Sequence, residues 1–236
     1  MLTLILLHLL MTTAAQQPIY TSNAQITSKL AAEDFVPDGN LEKPVWRKAV
    51  PVSFDHDWAG QRHFPQLRTE VRSLWTSKYL YVSFRCNYAE LNVYQGEDPA
   101  KERWQLWERD VVEVFVNPEP QRMQHYYEFE VAPNNQWIDL EIDLTKQPPG
   151  TAAWDSRFDH AVRVDEKKHV WTCEMRIPLS SLRAEIQPDA LWRVNFYRAE
   201  GKGSDLERAL LAWSPVPGEH PNFHVPSRFG VLQFEK

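Results

Sequence analysis

Trp104-Gln-Leu-Trp107-Glu-Arg-Asp110-Val-Val-Glu113-Val-Phe-Val-Asn117 is the stretch on which the reading of this chain turns. From Val111 to Val116 it is β-branched and aromatic with a single acid inside it, the composition of a strand buried on at least one face. Side chains alternate along a strand, so Val112, Val114 and Val116 share one face and Val111, Glu113 and Phe115 the other. Asn117-Pro118 ends the run, because proline lacks a donor for the ladder and restricts the residue before it. A carboxylate therefore sits mid-strand among apolar neighbours, just after a loop that carries two tryptophans. An aromatic plate beside a fixed acceptor suits a sugar: the ring covers the C–H face of a pyranose, and the acid takes its hydroxyls in charge-assisted bonds. The same residues equally describe a half-buried strand with one solvated Glu and a Trp that caps the core.

Working outward, 236 residues suit one all-β domain, and 43% apolar with 25% charged residues permits a sizeable core. Ten Trp, eight Tyr and eleven Phe against eight Gly make an aromatic-rich chain. A formal charge of -6 offers no basic footprint for nucleic acid and no attraction to acidic membranes. Met1 to Met11 is almost wholly apolar and is followed by Thr13-Ala14-Ala15, which reads as a signal peptide over 1–15 and predicts a secreted or periplasmic protein. At about ten residues that run is too short to span a bilayer. Cys86 and Cys173 are the only cysteines. Strand parity turns both inward, as a disulfide or as two buried thiols.

Residues 16–33 are polar and aperiodic and read as a flexible N-terminal segment leading to a folded unit over 34–236. Asp38-Gly39-Asn40 is a turn signal, and Leu41 to Ala49 suits a short helical turn that docks Val45 and Trp46. Strand candidates then recur: 69–76, 79–86, 111–117, 125–132, 136–143, 158–164, 170–177, 191–199, 208–213 and 229–234. Tyr127, Phe129 and Val131 face inward, and Asn134-Asn135 turns that strand back as a hairpin. The expected architecture is all-β, a two-sheet antiparallel β-sandwich of jelly-roll or immunoglobulin-like type with few short helical turns. Three loops are long for such a fold: 88–109, 145–155 and the proline-stiffened 214–228. Long loops on a rigid sandwich are where binding concentrates.

Taken together, several motifs resemble the family 9 carbohydrate-binding modules, a DOMON-like sandwich type. They are Asp38-Gly39 leading to Trp46, Leu80-Tyr-Val-Ser-Phe-Arg85, Trp107-Glu-x-Asp110-x-x-Glu113-x-Phe115 and Trp171-x-x-Glu174-x-x-Ile177-Pro178. Further on come Trp192-Arg-x-Asn195-Phe196-x-Arg198, Trp213-Ser214-Pro215 and Phe223-His224-x-Pro226-x-Arg228-Phe229-Gly230. The resemblance implies a β-sandwich that binds sugar without cleaving it, acting in carbohydrate catabolism beside glycosidases. Family members hold a sugar end between two tryptophans, with an acid, an arginine and an asparagine. Carried over, Trp107 and Glu113 match the first aromatic and the acid, and Asn195 matches the asparagine. Arg198 stands where the second tryptophan is expected, and Trp213 replaces that ring if its loop folds back. The resemblance also implies a monomer whose partner is an oligo- or polysaccharide, with no cofactor beyond a structural calcium, for which Asp34 and Asp38 are nearby acids.

Three other readings remain at this level. A partner-docking scaffold with no sugar ligand keeps the fold and discards the site. A glycoside hydrolase needs two carboxylates about 5 to 10 Å apart, and Glu113, Glu128 and Glu130 are strand residues that suit one. A haem-binding sandwich would use Met123, His125 or Met175 as ligands. Ordinary structural roles suit several other residues: Trp46, Trp75, Trp171 and Trp192 as core, and Asp110 with Arg198 as an ion pair.

Overall fold

The computed structural model describes residues 18–236, except 97, 152 and 206. The proposed signal peptide over 1–15 lies outside the described residues. In chain order the strands are β1 (Gln25–Leu30), β2 (Val52–Phe54), β3 (Thr69–Trp75), β4 (Tyr79–Asn87), β5 (Val111–Asn117), β6 (His125–Val131) and β7 (Trp137–Asp143). They continue with β8 (Gly150–Thr151), β9 (Asp159–Asp165), β10 (Val170–Pro178), β11 (Leu191–Glu200), β12 (Ala209–Ala212) and β13 (Gly230–Glu235). Among the described residues the helical elements are short 3-10 turns, at Pro44–Lys48, Pro65–Leu67, Leu106–Glu108 and Pro226–Arg228. Three of the four start on a proline, whose fixed φ suits a first helical position.

The strands form one continuous ladder, β8-β7-β6-β5-β11-β13-β1-β3-β4-β10-β9, with β12 on β11 and β2 on β3. This ladder folds over on itself, so its two halves face each other as a sandwich. The core between them takes Val112, Val114 and Val116 of β5 and Tyr127, Phe129 and Val131 of β6 from one half. From the other it takes Val82, Phe84, Cys86, Cys173, Met175 and Ile177. The alternation read from the sequence is the alternation observed. Trp46, Trp75, Trp171 and Trp192 are all buried.

Two expectations are corrected here. The segment 16–33, read as a flexible tether, carries β1, which lies between β13 and β3 and pairs with both in parallel. Only Ile26 and Ser28 of β1 are fully buried, so the strand is too polar to show a period of two. Its place rests on main-chain bonds and on Ser73 Oγ donating to Ser28 Oγ at 2.8 Å. The sandwich is therefore antiparallel except along β1. The second correction concerns Asp110 and Arg198, which do not pair. Arg198 is bonded to Glu200, while Asp110 accepts from the backbone N–H groups of Asn92 (2.8 Å) and Gly201 (2.7 Å). Of the two readings of Cys86 and Cys173, the structure shows free, buried thiols.

Each half of the sandwich also covers its outer face. On the β3-β4-β10 half, Leu74 and Tyr81 are capped by Trp46 from the first 3-10 turn. Glu174 anchors that cap by accepting from the Asp38 and Gly39 amides at 2.8 Å, the Trp46 indole at 2.6 Å and the Lys43 ammonium. On the other half, the odd-numbered face of β5 and the even-numbered face of β6 lie under the three long loops, with Phe115, Tyr126, Ile138, Leu140, Tyr197 and Phe229 as a second apolar cluster.

Candidate functional site

That looped-over face opens as a cleft of about 410 Å3. Strands supply its floor: Glu113 and Phe115 from β5, Glu128 from β6, Leu140 and Ile142 from β7, Ala199 from β11 and Leu210 from β12. Trp104 and Trp107 form one wall, while Phe223, His224 and the Pro148-Pro149 pair come from the other loops. A largely apolar cleft with a few convergent polar groups has the general form of a small-molecule site.

The two tryptophans differ in setting. Trp104 is 52% exposed, whereas Trp107 is half-buried against the outer cluster, and their rings meet edge-on at 5.1 Å. The 3-10 turn Leu106–Glu108 presents them, following Gln105 in the left-handed region at φ 64°. Buried Leu106 pins that turn. The guanidinium of Arg208 donates to the Trp107 carbonyl at 2.6 Å and to Asp205 at 2.7 Å, tying the tryptophan loop to the chain before β12.

Opposite, Phe223 stacks on Tyr197 with centroids 4.0 Å apart and planes 11° apart, and the Tyr197 hydroxyl donates to the Phe223 carbonyl at 2.9 Å. His224 Nδ1 shares a hydrogen bond of 2.7 Å with the Tyr126 hydroxyl. Burial pushes the phenol of Tyr126 well above its ordinary range, so it stays a neutral hydroxyl.

The polar floor is acidic. Glu113 stands directly opposite Glu130 across β5 and β6, and carboxylate oxygens of Glu113, Glu128 and Glu130 all lie within 4.8 Å of one another. All three residues are buried. Burial first, then the charge of Glu128, holds Glu113 well above the usual carboxylate range, with Arg208 acting against the shift. Glu130 is raised likewise, by burial and then by Glu113 and Glu128.

Of the five residues read from the sequence as sugar contacts, Trp107, Glu113, Asn195, Arg198 and Trp213, the structure brings Trp107 and Glu113 into the cleft, and Glu128 of the hydrolase reading joins them. Asn195 lies on the same face of β11 as Tyr197 but beneath the wall. Its amide donates to the Tyr197 hydroxyl (2.7 Å) and the Ser214 carbonyl (2.9 Å), and its oxygen accepts from the Ser214 and Phe196 amides. Those bonds engage both ends of its side chain, so Asn195 positions Tyr197 and, through it, Phe223. Arg198 is an odd number of residues further on, so alternation turns it to the opposite face. There it is fully buried and donates to the Leu67 and Asn87 carbonyls. Trp213 does not fold over the cleft. It packs on Phe196 at 5.3 Å and against Gly230, where a Cβ would come within 2.6 Å of the indole. Trp104 stood in the opening motif and Phe223-His224 in a family motif, so both were in view without a role. Arg208 carried no signal beyond its place in a strand candidate.

Acidic groups that suit a calcium-type ion are found elsewhere than the sequence suggested. Asp34 is paired with Lys78 at 3.2 Å, and Asp38 with Lys43 at 2.9 Å and Arg163 at 3.0 Å, so neither is free to coordinate. Glu102, Asp139 and Asp155 make one oxygen-donor cluster that joins two of the long loops, and the floor glutamates make another. In the first, burial raises Asp139 to about 6, and burial with Asp139 and Asp155 raises Glu102 to about 7.

Comparison with known proteins gives this geometry its relatives. An extracellular protein of Arthroderma benhamiae is 26% identical over 212 residues, 84% of this chain and 91% of that protein. The crystal structure of a proposed carbohydrate-binding protein from Bacteroides uniformis superposes with a TM-score of 0.73 at 20% identity, covering 91% of this chain and all of that one (100%). A family 9 carbohydrate-binding module from Caldicellulosiruptor kristjanssonii, solved with cellotriose, superposes at 0.63 with 17% identity over 90% of this chain and 94% of that one. At these identities the two structures establish the fold. The model of the carbohydrate family 9 binding domain-like family matches residues 37–236, and the chain belongs to that family.

Proposed function

We propose that this protein is an exported, non-catalytic carbohydrate-binding module, a monomer that takes an oligo- or polysaccharide in the cleft described above and serves polysaccharide breakdown from outside the cell. The observation that carries this reading is the juxtaposition of Trp104 and Trp107 with Glu113 in one open cleft. A pyranose laid along the tryptophan wall covers its C–H face, and its hydroxyls then reach the floor acids as donors. The relatives support the reading: one is an extracellular protein, and one was solved in complex with cellotriose. The site departs from the family arrangement in its second aromatic. Phe223 shares the cleft with the tryptophans, and no ring reaches it from Arg198 or Trp213.

Calorimetry and tryptophan fluorescence against a panel of mono- and oligosaccharides test it. Saturable binding accompanied by a change in indole emission is expected, without release of new reducing ends. Glu113→Gln should weaken that binding by about 1 kcal/mol, the loss of one carboxyl hydrogen bond. A panel that produces no binding favours the partner-docking scaffold, and release of reducing ends favours the hydrolase.

A further inference from the structure

Two buried glutamates of this protein are treated in opposite ways. Glu174, on the far half of the sandwich, meets two backbone amides, an indole N–H and an ammonium. Glu130, fully buried beside the cleft floor, meets no N–H or hydroxyl donor at either carboxylate oxygen, and neither does Oε2 of Glu128, so the two acids have only each other to share a proton with. Unpartnered buried carboxylates are costly, and structures normally satisfy them with donors or a cation. Here carboxylate oxygens of Glu128 and Glu130 lie within 4.8 Å of one another and of one from Glu113. The one guanidinium acting on Glu113, that of Arg208, is already bonded to Asp205 and to the Trp107 carbonyl.

We propose that Glu113, Glu128 and Glu130 bind a calcium ion at the floor of the cleft, and that the ion's open side receives hydroxyls of the ligand. The second half of this proposal rests on the sugar-binding reading above; the first half does not. Calcium takes oxygen ligands at about 2.3–2.6 Å, so two ligands across one ion stand at most about 5 Å apart. One carboxylate oxygen from each of the three acids lies within 4.8 Å of the other two, inside that span. Magnesium, which demands a strict octahedron and sheds its water reluctantly, is less suited than calcium to a site of three protein carboxylates. A protonated amino sugar is the other cation that an acidic floor attracts. Glu130, however, does not line the cleft. An amine resting on the floor reaches Glu113 and Glu128 and leaves Glu130 unanswered, whereas a bare ion sits among all three. Calcium needs six to eight oxygens, and the three carboxylates leave positions on the cleft side for two vicinal hydroxyls or water.

The test uses the full secreted chain, freed of metal with EDTA and dialysed. Titration with CaCl2 by calorimetry should show one saturable site, and CaCl2 should raise the melting temperature more than equal MgCl2. Glu130→Gln removes a ligand that does not line the cleft. It should weaken calcium binding by about an order of magnitude or more and abolish the calcium-dependent rise in melting temperature. In the metal-free state this variant should melt at or above the metal-free wild type, because a neutral amide replaces one of three crowded, buried carboxyl groups; a misfolded variant would not. Saccharides from the panel should bind more weakly in EDTA than in CaCl2. Calcium binding without any saccharide binding upholds the metal site and overturns the sugar reading. Saccharide binding that is indifferent to EDTA, with no calcium site by calorimetry, does the reverse. A wild type that ignores calcium but binds glucosamine oligomers, or a Glu130→Gln variant that binds calcium as tightly as the wild type, overturns the metal site.

Discussion

The ring of Trp104 meets the ring of Trp107 edge-on, with 5.1 Å between centroids and 79° between planes, and only the second is packed into the body of the protein. The two positions should therefore separate recognition from folding. Trp104→Ala should lower saccharide affinity by about 1 kcal/mol, the value of a stacked aromatic. Its melting temperature should match that of the wild type, because Trp104 is more than half exposed. Trp107→Ala should lower affinity and stability together, at a cost below the roughly 3–5 kcal/mol of a fully buried aromatic. Paired calorimetric titration and thermal denaturation check both, and a Trp107→Ala protein that melts lower yet binds normally would remove Trp107 from the site.

Asn195 should influence binding only through Phe223. Asn195→Ala strands the Ser214 amide and the Tyr197 hydroxyl, so stability should fall by about 1–3 kcal/mol. Saccharide affinity should fall with it. In a Phe223→Ala background the same substitution should cost no further affinity, because the ring that it holds is gone. A double-mutant cycle by calorimetry reads this coupling directly.

Cys86 and Cys173 should resist thiol reagents in the native state and react at once in denaturant. Both are 0% exposed. Burial raises the Cys86 thiol to about 11 and Cys173 well above its ordinary value, so neither supplies the reactive thiolate at neutral pH. Timed labelling with a maleimide, followed by mass spectrometry, gives the answer, and rapid native labelling would mean that the β4 and β10 registers are shifted by one residue.

His160 should make the fold sensitive to mild acid. It lies against Trp137 and Phe158, and burial lowers its pKa to about 4, with Asp159 pulling weakly the other way. The unfolded chain, with an ordinary imidazole, binds the proton first as pH falls below about 6.5. The stability associated with neutral His160 is thus complete above pH 6.5 and is lost between 6.5 and 4. The melting temperature should drop across that window by more in the wild type than in His160→Gln.

The strands were legible where one face is apolar and the other is not. Val112, Val114 and Val116 announced β5, and Tyr127, Phe129 and Val131 announced β6, because burial on the core side leaves a period of two. β1 left no such mark, since its place depends on main-chain pairing with strands more than forty and two hundred residues away. The site was legible only in part, for a similar reason. Trp107 and Glu113 lie six residues apart on one turn and strand, so local spacing fixes them. Phe223, His224 and Arg208 reach the cleft from distant loops, and nothing local says which of them point inward. Arg198 and Trp213 were misplaced by position in a motif, although parity along β11 already put Arg198 on the far face from Asn195.

Pairing of Gln25 with Val231 and of Ser28 with Ser73 has a kinetic meaning. The rung beside the middle of the ladder is laid by the first strand of the described chain, yet one of its two neighbours, β13, is the last described strand. Closing a loop of that length costs only slightly more than closing one half as long, since the entropy grows with its logarithm. Order, more than cost, is what the arrangement imposes. Until β13 emerges, β1 has β3 alone to hold it, and the two halves of the sandwich share no main-chain link at this rung. A nascent chain would thus carry two half-sheets with bare inner margins, each open to pairing with a neighbouring copy. Completion of the ladder would come as a late, single event that removes both margins at once.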